Sequence, residues 1–353
     1  MNLFEIGWNE FFAKHFEPFK NQGLIPARIA CEKKYIYIVY TEKGELMAEV
    51  SGKFRFDAQT PKDFPAVGDW VAINLRPGED KAIIHGVLPR KTSFSRKVAG
   101  SRTDEQVLAA NIDILFLVSA LDRDFNVRRI ERFLMPCYNS NSRPIILLNK
   151  SDLCQDIEEK VRAVESIAFD VPIHTMSASE NKGIEVLGTY LNKGITAALL
   201  GSSGVGKSTI INRLLGEERQ EIRSVSTSTG KGKHVTVHRE LILIPDGGLI
   251  IDTPGLRELQ LWGDEDNLKE SFKDIEELAQ TCRFRDCGHK HEPGCAVKKA
   301  IQQGSLDMKR FKNYLKLQRE IRLLATRRKE QWFHSKQAVH KRIELKRKGF
   351  FRE

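Results

Sequence analysis

The spacing of apolar positions changes along the chain, and each change predicts a different kind of element. Phe4, Ile6, Trp8, Phe11, Phe12 and Phe16 predict a short amphipathic helix near the start, with an apolar face that packs on something. From Ala27 to about Pro89 the pattern becomes short alternating runs: Arg28–Cys31, Tyr35–Tyr40, Leu46–Val50, Asp69–Ile73 and Ala82–Leu88. Turn residues separate them, including Glu42-Lys43-Gly44-Glu45 and Pro77-Gly78-Glu79-Asp80. Five short strands in so small a span predict a small barrel, with an oligonucleotide-binding (OB) fold as the leading candidate. Pro89–Lys97 is a basic link without regular period. Beyond it, strands and helices alternate: strand 112–119, helix 126–138, strand 144–148, helix 157–169, strand 171–175, helix 184–191, strand 195–200 and helix 209–215. Strands at 240–244 and 248–251 follow. Such alternation predicts a parallel, doubly wound sheet. Ala296–Gln303 and Leu306–Arg328 read as helices, the second with Tyr314, Leu317, Ile321 and Leu324 on one face.

Charge is unevenly placed along this pattern. The 353 residues carry a net charge of +10, but residues 308–353 hold 16 Lys/Arg against 4 Asp/Glu. That segment alone is +12, which leaves −2 for the rest. A basic terminus fits a polyanionic partner such as RNA, or a solvated charged helix. Trp332, Phe333, Phe350 and Phe351, interleaved with the basic residues, suit either RNA binding or a flexible tail. No apolar run reaches the length of a membrane span, and Glu5, Glu10 and Lys14 break any signal-peptide pattern. A soluble, cytoplasmic protein without a membrane partner is expected, and nothing demands more than a monomer. In the barrel, Tyr35, Tyr37, Lys53, Phe54, Arg55 and Phe56 could stack bases and meet phosphates, or form core and solvated edge.

The stretch that organises the chemistry is Gly201-Ser202-Ser203-Gly204-Val205-Gly206-Lys207-Ser208-Thr209, set between a strand and a helix. It is an intact G-x-x-x-x-G-K-S phosphate loop. Its glycines let successive N–H groups converge, and the following helix adds its positive dipole. Lys207 would reach the β- and γ-phosphates, and the Ser208 hydroxyl would hold Mg²⁺. Asn149-Lys150-Ser151-Asp152 closes the 144–148 strand in the N-K-x-D arrangement of guanine-nucleotide proteins. The Asp152 carboxylate can accept from guanine N1–H and the 2-amino group, whereas adenine would leave a buried charge unpaired. Asn149 would support the purine edge, and the Lys150 stem would cover the ring face. Ser177-Ala178 takes the place of a loop whose N–H meets guanine O6. Asp252-Thr253-Pro254-Gly255 stands at the D-x-x-G position, with Asp252 reaching Mg²⁺ through water and the Gly255 N–H sensing the γ-phosphate. Together these predict GTP/GDP and Mg²⁺ as ligands.

The order of these motifs is unusual. Base recognition precedes the phosphate loop, so the domain is a circular permutation of the common small GTPase. The same sheet tolerates such moved termini. Leu256 stands where many GTPases carry a water-orienting Gln, and a leucine cannot orient water, so intrinsic hydrolysis is expected to be slow. His234, in the polar loop Ser224–Thr236, is the candidate catalytic residue beside Lys207, or an exposed loop histidine. Farther on, Cys282-x4-Cys287-x-His289-x5-Cys295 supplies three thiolates and one imidazole, a set that suits one structural, tetrahedral Zn²⁺. Arg283, Arg285, Lys290 and His291 would make that knob basic.

In these motifs and their order the chain resembles the RsgA family (YjeQ/YloQ type) of circularly permuted GTPases, over nearly its whole length. The stretches that carry the resemblance are Asn149–Asp152, Gly201–Thr209, Asp252–Gly255 and Cys282–Cys295, with support from Pro89–Lys97, Gln106–Asp113 and Gly230–Glu240. It implies three parts: an N-terminal extension and OB barrel over 1–100, a permuted GTPase domain over 101–265, and an α-helical zinc-binding module with basic tail over 266–353. It further implies a GTPase that binds the small (30S) ribosomal subunit and its rRNA late in assembly and is stimulated there. His234 matches a family histidine discussed as catalytic. Val235 and Val237 interrupt the threonines the family usually carries after it. The alternatives are an RNA-binding placement factor whose weak GTPase is only a timer, or a paralogue acting on another ribosomal RNA target.

Overall fold

The computed structural model describes residues 1–33, 36–75, 81–97, 105–168, 170–216, 239–245, 247–252, 268–269, 271–323 and 326. The switch-loop residues 224–236 with His234, the Thr253–Leu256 stretch with Gly255, and the basic tail with Trp332 and Phe350 lie outside them. Two compact units form, Met1–Lys97 with Asp104–Gln260, and Leu261–Glu353 with Val98–Thr103.

The first unit opens with helix α1 (Glu10–Lys20), capped by the Asn9 side chain, which accepts from the Phe11 N–H. Strands β1 (Ile25–Lys33), β2 (Ile36–Thr41), β3 (Gly44–Val50), β4 (Trp70–Leu75) and β5 (Lys81–Val87) pair in the order β1-β2-β3-β5-β4. Pairing of β1 with β4 closes the barrel, and β3 runs parallel to β5. This is the OB arrangement expected from the strand count. Helix α1 packs its buried Phe12 and Phe16 against the barrel, where the Trp8 and Trp70 rings meet edge-on at 4.7 Å. Gly86 allows the Phe19 ring to approach, for a Cβ there would lie 2.6 Å from Phe19 Cε1.

Between β3 and β4 the chain forms a short helix, α2 (Gly52–Asp57), where Lys53, Arg55 and Phe56 are exposed. Tyr37, in contrast, is buried in the core. The aromatic and basic set of the barrel thus divides into core and surface, and Tyr35 lies outside the described residues.

The 89–97 link is more ordered than its sequence suggested. Strand β6 (Ser93–Lys97) pairs antiparallel with β7 (Glu105–Ala110). Arg90 is held inside the fold. Its guanidinium donates to both Asp69 carboxylate oxygens at 2.8 and 2.7 Å and to the Lys62 and Phe64 carbonyls. Asp69 is fully buried, so this pair holds a charge that would be costly alone.

Strands β8 (Ile114–Ala120), β9 (Arg143–Asn149), β10 (Ile173–Thr175), β11 (Thr196–Leu200), β12 (Glu240–Leu243) and β13 (Leu249–Asp252) line up as β10-β9-β8-β11-β13-β12. Period-two alternation sorts their side chains. Leu115, Leu117, Ile146 and Leu148 face one layer, with Ile130 and Leu134 of α3 (Val127–Ser140) and Val164 of α4 (Ile157–Glu165). Ile114, Phe116, Ile145 and Leu147 face the other, with Leu187 of α5 (Glu185–Gly188) and Ile210 and Ile211 of α6 (Lys207–Leu215). The α3 layer and the barrel interior form one continuous hydrophobic cluster.

The sheet departs from the expected all-parallel form at one edge, where β12 runs antiparallel to β13. The connection 244–248 is too short for a parallel crossover, which needs a dozen residues or more. The free side of β12 pairs in turn with β1 at Cys31 and Glu240, and the Tyr40 hydroxyl donates to the Leu241 carbonyl at 3.0 Å. The helices expected over 157–169 and 184–191 end earlier, at Glu165 and Gly188.

The second unit holds α7 (Lys273–Gln280), α8 (Ala296–Gln302) and a helix α9 over 308–323. Phe311, Tyr314, Leu317 and Ile321 are buried on the inner face of α9. Its Arg310 lies 4.8 Å over the Phe272 ring and pairs with Asp274 at 2.7 Å. Among the described residues, no helix is long and apolar enough to cross a membrane.

Candidate functional site

The candidate nucleotide site gathers at one end of the sheet, where four loops leave parallel strands. Strand β9 delivers Asn149, β10 leads to Ser177, β11 leads into the phosphate loop, and β13 ends on Asp252. Because Ala198 pairs with Ile251, the last residue of β13 falls beside the start of the phosphate loop. Sequence-distant motifs therefore converge for a reason of register alone. This is the usual ligand position in open α/β sheets.

The phosphate loop needs two of its glycines for packing. A Cβ on Gly201 would collide with the Val118 carbonyl, and one on Gly206, at φ 100°, with the Asn149 side chain. Helix α6 begins at Lys207, with Ser208 and Thr209 in its first turn and half-buried. The Lys207 ammonium donates to the Gly201 and Ser202 carbonyls at 2.7 and 2.6 Å. These bonds keep it curled over the loop, beside the N-terminal amides where an anion would sit.

Asn149 is almost wholly buried, and its amide is committed at both ends. Nδ2 donates to the Val205 carbonyl at 2.8 Å, and Oδ1 accepts the Ala178 N–H at 2.9 Å. It therefore braces the phosphate loop and the 177–179 loop, and within the loop expected at guanine O6 the Ala178 N–H is given to it. The Ser177 hydroxyl donates to Asp152 Oδ1. Asp152 itself is exposed, where discrimination against adenine by an unpaired charge predicts a buried carboxylate. The short helical turn Ser151–Leu153 carries it outward, so any penalty for an unpaired charge arises only when a base covers it. Lys150 takes the left-handed conformation, φ 63°, and its ammonium pairs with Asp122 at 2.8 Å. Burial raises the Asp122 carboxyl, but hydrogen bonds from Lys150 and the Asp124 N–H outweigh it and hold it below the usual carboxylate range.

Beside Lys150 lies an open cavity of about 740 Å³, bordered by Leu121, Asp122, Leu153, Lys160 and Gly204. It touches the base loop and the phosphate loop but not Lys207, Ser208 or Asp252, so it marks the base-loop side of the site. Arg213, on α6, was not singled out by any motif. It holds the 177–179 loop through the Ala178 and Ser179 carbonyls at 3.2 and 3.0 Å. Asp122 and Arg129 are further site neighbours without a sequence signal, because only folding brings 122–129 against the two loops.

In the second unit, Cys282, Cys287, His289 and Cys295 bring their ligand atoms within 4.8 Å of one another. Cys282 Sγ lies 3.9 Å from Cys295 Sγ and 3.6 Å from His289 Nδ1, which is 3.4 Å from Cys295 Sγ. Tetrahedral zinc with ordinary bond lengths requires edges of about 3.8 Å between sulfurs and about 3.6 Å from sulfur to nitrogen. The edges among Cys282, His289 and Cys295 fit that geometry, with Cys287 completing the set within 4.8 Å, and the cysteines are free thiols rather than disulfides. The Glu292 carboxylate accepts the Gly288, Lys290 and His291 N–H groups, which fixes the turn that presents His289. Arg283, Phe284, Arg285, Lys290 and His291 are exposed around it.

A family model described as RsgA GTPase matches residues 87–262. A protein of Opitutus terrae named small ribosomal subunit biogenesis GTPase RsgA is 48% identical over 93% of this chain and 92% of its own length. A protein of the same name from Syntrophotalea carbinolica is 43% identical over 91% and 90%. Among solved structures, YjeQ from Thermotoga maritima superposes with a TM-score of 0.63 at 28% identity, covering 84% of this chain and 98% of its own. YloQ, described as a circularly permuted GTPase, gives 0.60 at 24% identity over 85% and 95%, a likeness of fold.

Proposed function

The chain belongs to the RsgA GTPase family, and on that premise we propose that it binds the small ribosomal subunit late in its assembly and hydrolyses GTP to GDP and phosphate when docked there. The observation that carries this reading is the likeness to the Opitutus terrae protein, which is 48% identical and covers 93% of this chain. Ribosomal subunits mature in the cytoplasm, where a protein with this task would work.

In this reading the α6 amides, Gly201–Thr209 and Lys207 take the phosphates. Asp152 takes the guanine N1–H and 2-amino group, and the Lys150 stem covers the ring. Ser208 and Asp252 hold Mg²⁺, which when bound neutralises charge on the β- and γ-phosphates. Hydrolysis then depends on positioning and on stabilising charge as the terminal phosphoryl leaves. Gly255 senses the γ-phosphate. With Leu256 at the usual glutamine position, this chain does not orient water there. Docking completes the site, with His234 as the side chain that orients or deprotonates the water.

Cys282, Cys287, His289 and Cys295 hold one structural Zn²⁺. Their exposed Arg283, Phe284 and Arg285 meet rRNA, as do Lys53, Arg55 and Phe56 of the barrel, where Phe56 is 89% exposed. The deciding experiment is GTP turnover alone, with purified small subunits and with large subunits. Stimulation by small subunits alone is expected. Binding without stimulation would instead favour a placement factor with a timer, and a response to large subunits another ribosomal target.

A further inference from the structure

We infer that Arg129 is a positioning residue for the phosphate loop, acting through Ser202 and itself oriented by Asp124. Ser202 occupies an unconstrained position of the G-x-x-x-x-G-K-S motif, so nothing in the motif assigns it a partner. In the fold it has two. Its carbonyl takes the Lys207 ammonium at 2.6 Å, and its hydroxyl accepts Arg129 NH1 at 3.0 Å. The residue that sets where Lys207 sits is therefore gripped from outside the loop.

The grip is well anchored. Arg129 stands in the first turn of α3, and Asn126 Oδ1 caps the Arg128 and Arg129 N–H groups at 3.1 and 3.2 Å. Asp124 takes the guanidinium from two sides, with NH2 3.1 Å from Oδ1 and NH1 bonded to Oδ2. A bidentate fork of this kind fixes the plane of the guanidinium. The Arg129 hydrogen bond and charge hold Asp124 below the usual carboxylate range, and Asp124 raises Arg129 in return, so the pair stays ionised at neutral pH. Because Asp124 balances its charge, Arg129 acts by geometry and not as a free cation over the phosphates. Two external side chains thus brace the loop, Arg129 at Ser202 and Asn149 at Val205.

The role belongs to the nucleotide site and does not depend on the ribosomal partner. It is tested by titrating the full chain with a fluorescent GDP, comparing wild type with S202A, R129A, R129K and the S202A/R129A pair. S202A deletes only the accepting hydroxyl at a half-buried surface position, so it keeps the test valid even if R129A folds poorly. Each single substitution is expected to weaken GDP about fivefold, the size of one lost charge-assisted hydrogen bond at a partly exposed site. The double variant should be no weaker than R129A, because the two residues act through one bond. R129K should fail to rescue, since an ammonium lacks the fork. In turnover, KM for GTP should rise by a larger factor than kcat falls. Wild-type affinity in S202A, or losses that multiply in the double variant, would overturn the proposal and leave the ribosomal reading untouched. No stimulation of the wild-type chain by small subunits, with the expected GDP losses in the variants, would do the reverse.

Discussion

Asn149 and Val205, far apart in sequence, are joined by a hydrogen bond of 2.8 Å from the asparagine Nδ2 to the valine carbonyl. The bond links the base loop to the phosphate loop, and the same amide reaches the 177–179 loop through its oxygen. In a permuted chain these loops belong to segments that are not covalent neighbours in the usual order. A single buried side chain at their meeting point makes the order of the segments unimportant to the site.

Substituting Asn149→Ala should therefore damage more than base recognition. It leaves the Val205 carbonyl and the Ala178 N–H unpaired in a buried place, at about 1–3 kcal/mol each. Stability and nucleotide affinity should fall together, with GDP and GTP weakened about equally. A melting curve and a GDP titration would check this, and a variant that melts normally while losing only guanine preference would refute the bracing role.

Asp152→Asn should act differently. Asp152 is exposed and its side chain accepts the Ser177 hydroxyl, so the fold should tolerate the change. The new amide can donate to the carbonyl that xanthine carries in place of the guanine amino group. A shift of preference from GDP toward xanthosine diphosphate by at least tenfold is expected from one exchanged, well-directed hydrogen-bond set. Unchanged preference would place the base loop elsewhere.

The motifs were legible because each is a short local pattern tied to a strand end. Gly201–Lys207, Asn149–Asp152 and the Cys3His spacing follow from the chemistry of one ligand each, and the structure brings each group together. The five barrel strands were legible from turn residues and period two. What escaped were relations between distant segments. The β6–β7 hairpin hid in a basic stretch whose Arg90 looks like a surface charge and in fact fills a buried pair with Asp69. The exposure of Asp152, the antiparallel β12 and the grip of Arg213 depend on tertiary placement, which spacing along the chain does not encode.

Lys207→Ala removes the ammonium that now bonds the Gly201 and Ser202 carbonyls. The loop keeps its backbone amides but loses the only charge contributed by the motif itself. GDP and GTP binding should drop by two orders of magnitude or more, about 3 kcal/mol for a charge-assisted contact in a pre-formed site. Isothermal titration would settle it, and affinity close to wild type would exclude Gly201–Thr209 as the phosphate site.

Metal removal should loosen one compact unit and spare the other. Stripping zinc with a chelator at neutral pH, or replacing Cys287 with Ala, removes the centre that holds Cys282, His289 and Cys295 together. The turns between α7 and α8 are largely exposed, so amide exchange should accelerate across 281–295. GDP affinity should stay within about twofold, since the nucleotide loops lie in the other unit. Elemental analysis should find one zinc per chain. Preparations that are metal-free yet exchange no faster would discredit the assignment.

Arg28 offers the severest test of how the barrel joins the GTPase sheet. It is 1% exposed, and its guanidinium donates to the Ile6, Gly68 and Asn111 carbonyls while lying 5.8 Å over the Trp70 ring. Those carbonyls come from the N-terminal segment, the barrel and the strand region leading into the GTPase sheet. Burial pushes the guanidinium down to about 10, with Asp113 and Asp69 pulling it back up, so it remains charged at neutral pH. Arg28→Met keeps the length and removes every donor. It relieves the burial of a charge but takes the donor from the buried Ile6 and Asn111 carbonyls, at about 1–3 kcal/mol each, while the Gly68 carbonyl keeps Asn111 Nδ2 at 3.0 Å, so the loss of bonds should win. The melting temperature should fall by roughly 5 °C or more, and the unfolding transition should broaden or split as barrel and GTPase sheet separate. Arg28→Lys should rescue only partly, because a single ammonium cannot span three carbonyls set around a planar fork. A methionine variant that melts in one sharp transition at the wild-type temperature would show that the shared hydrophobic core alone joins the two parts.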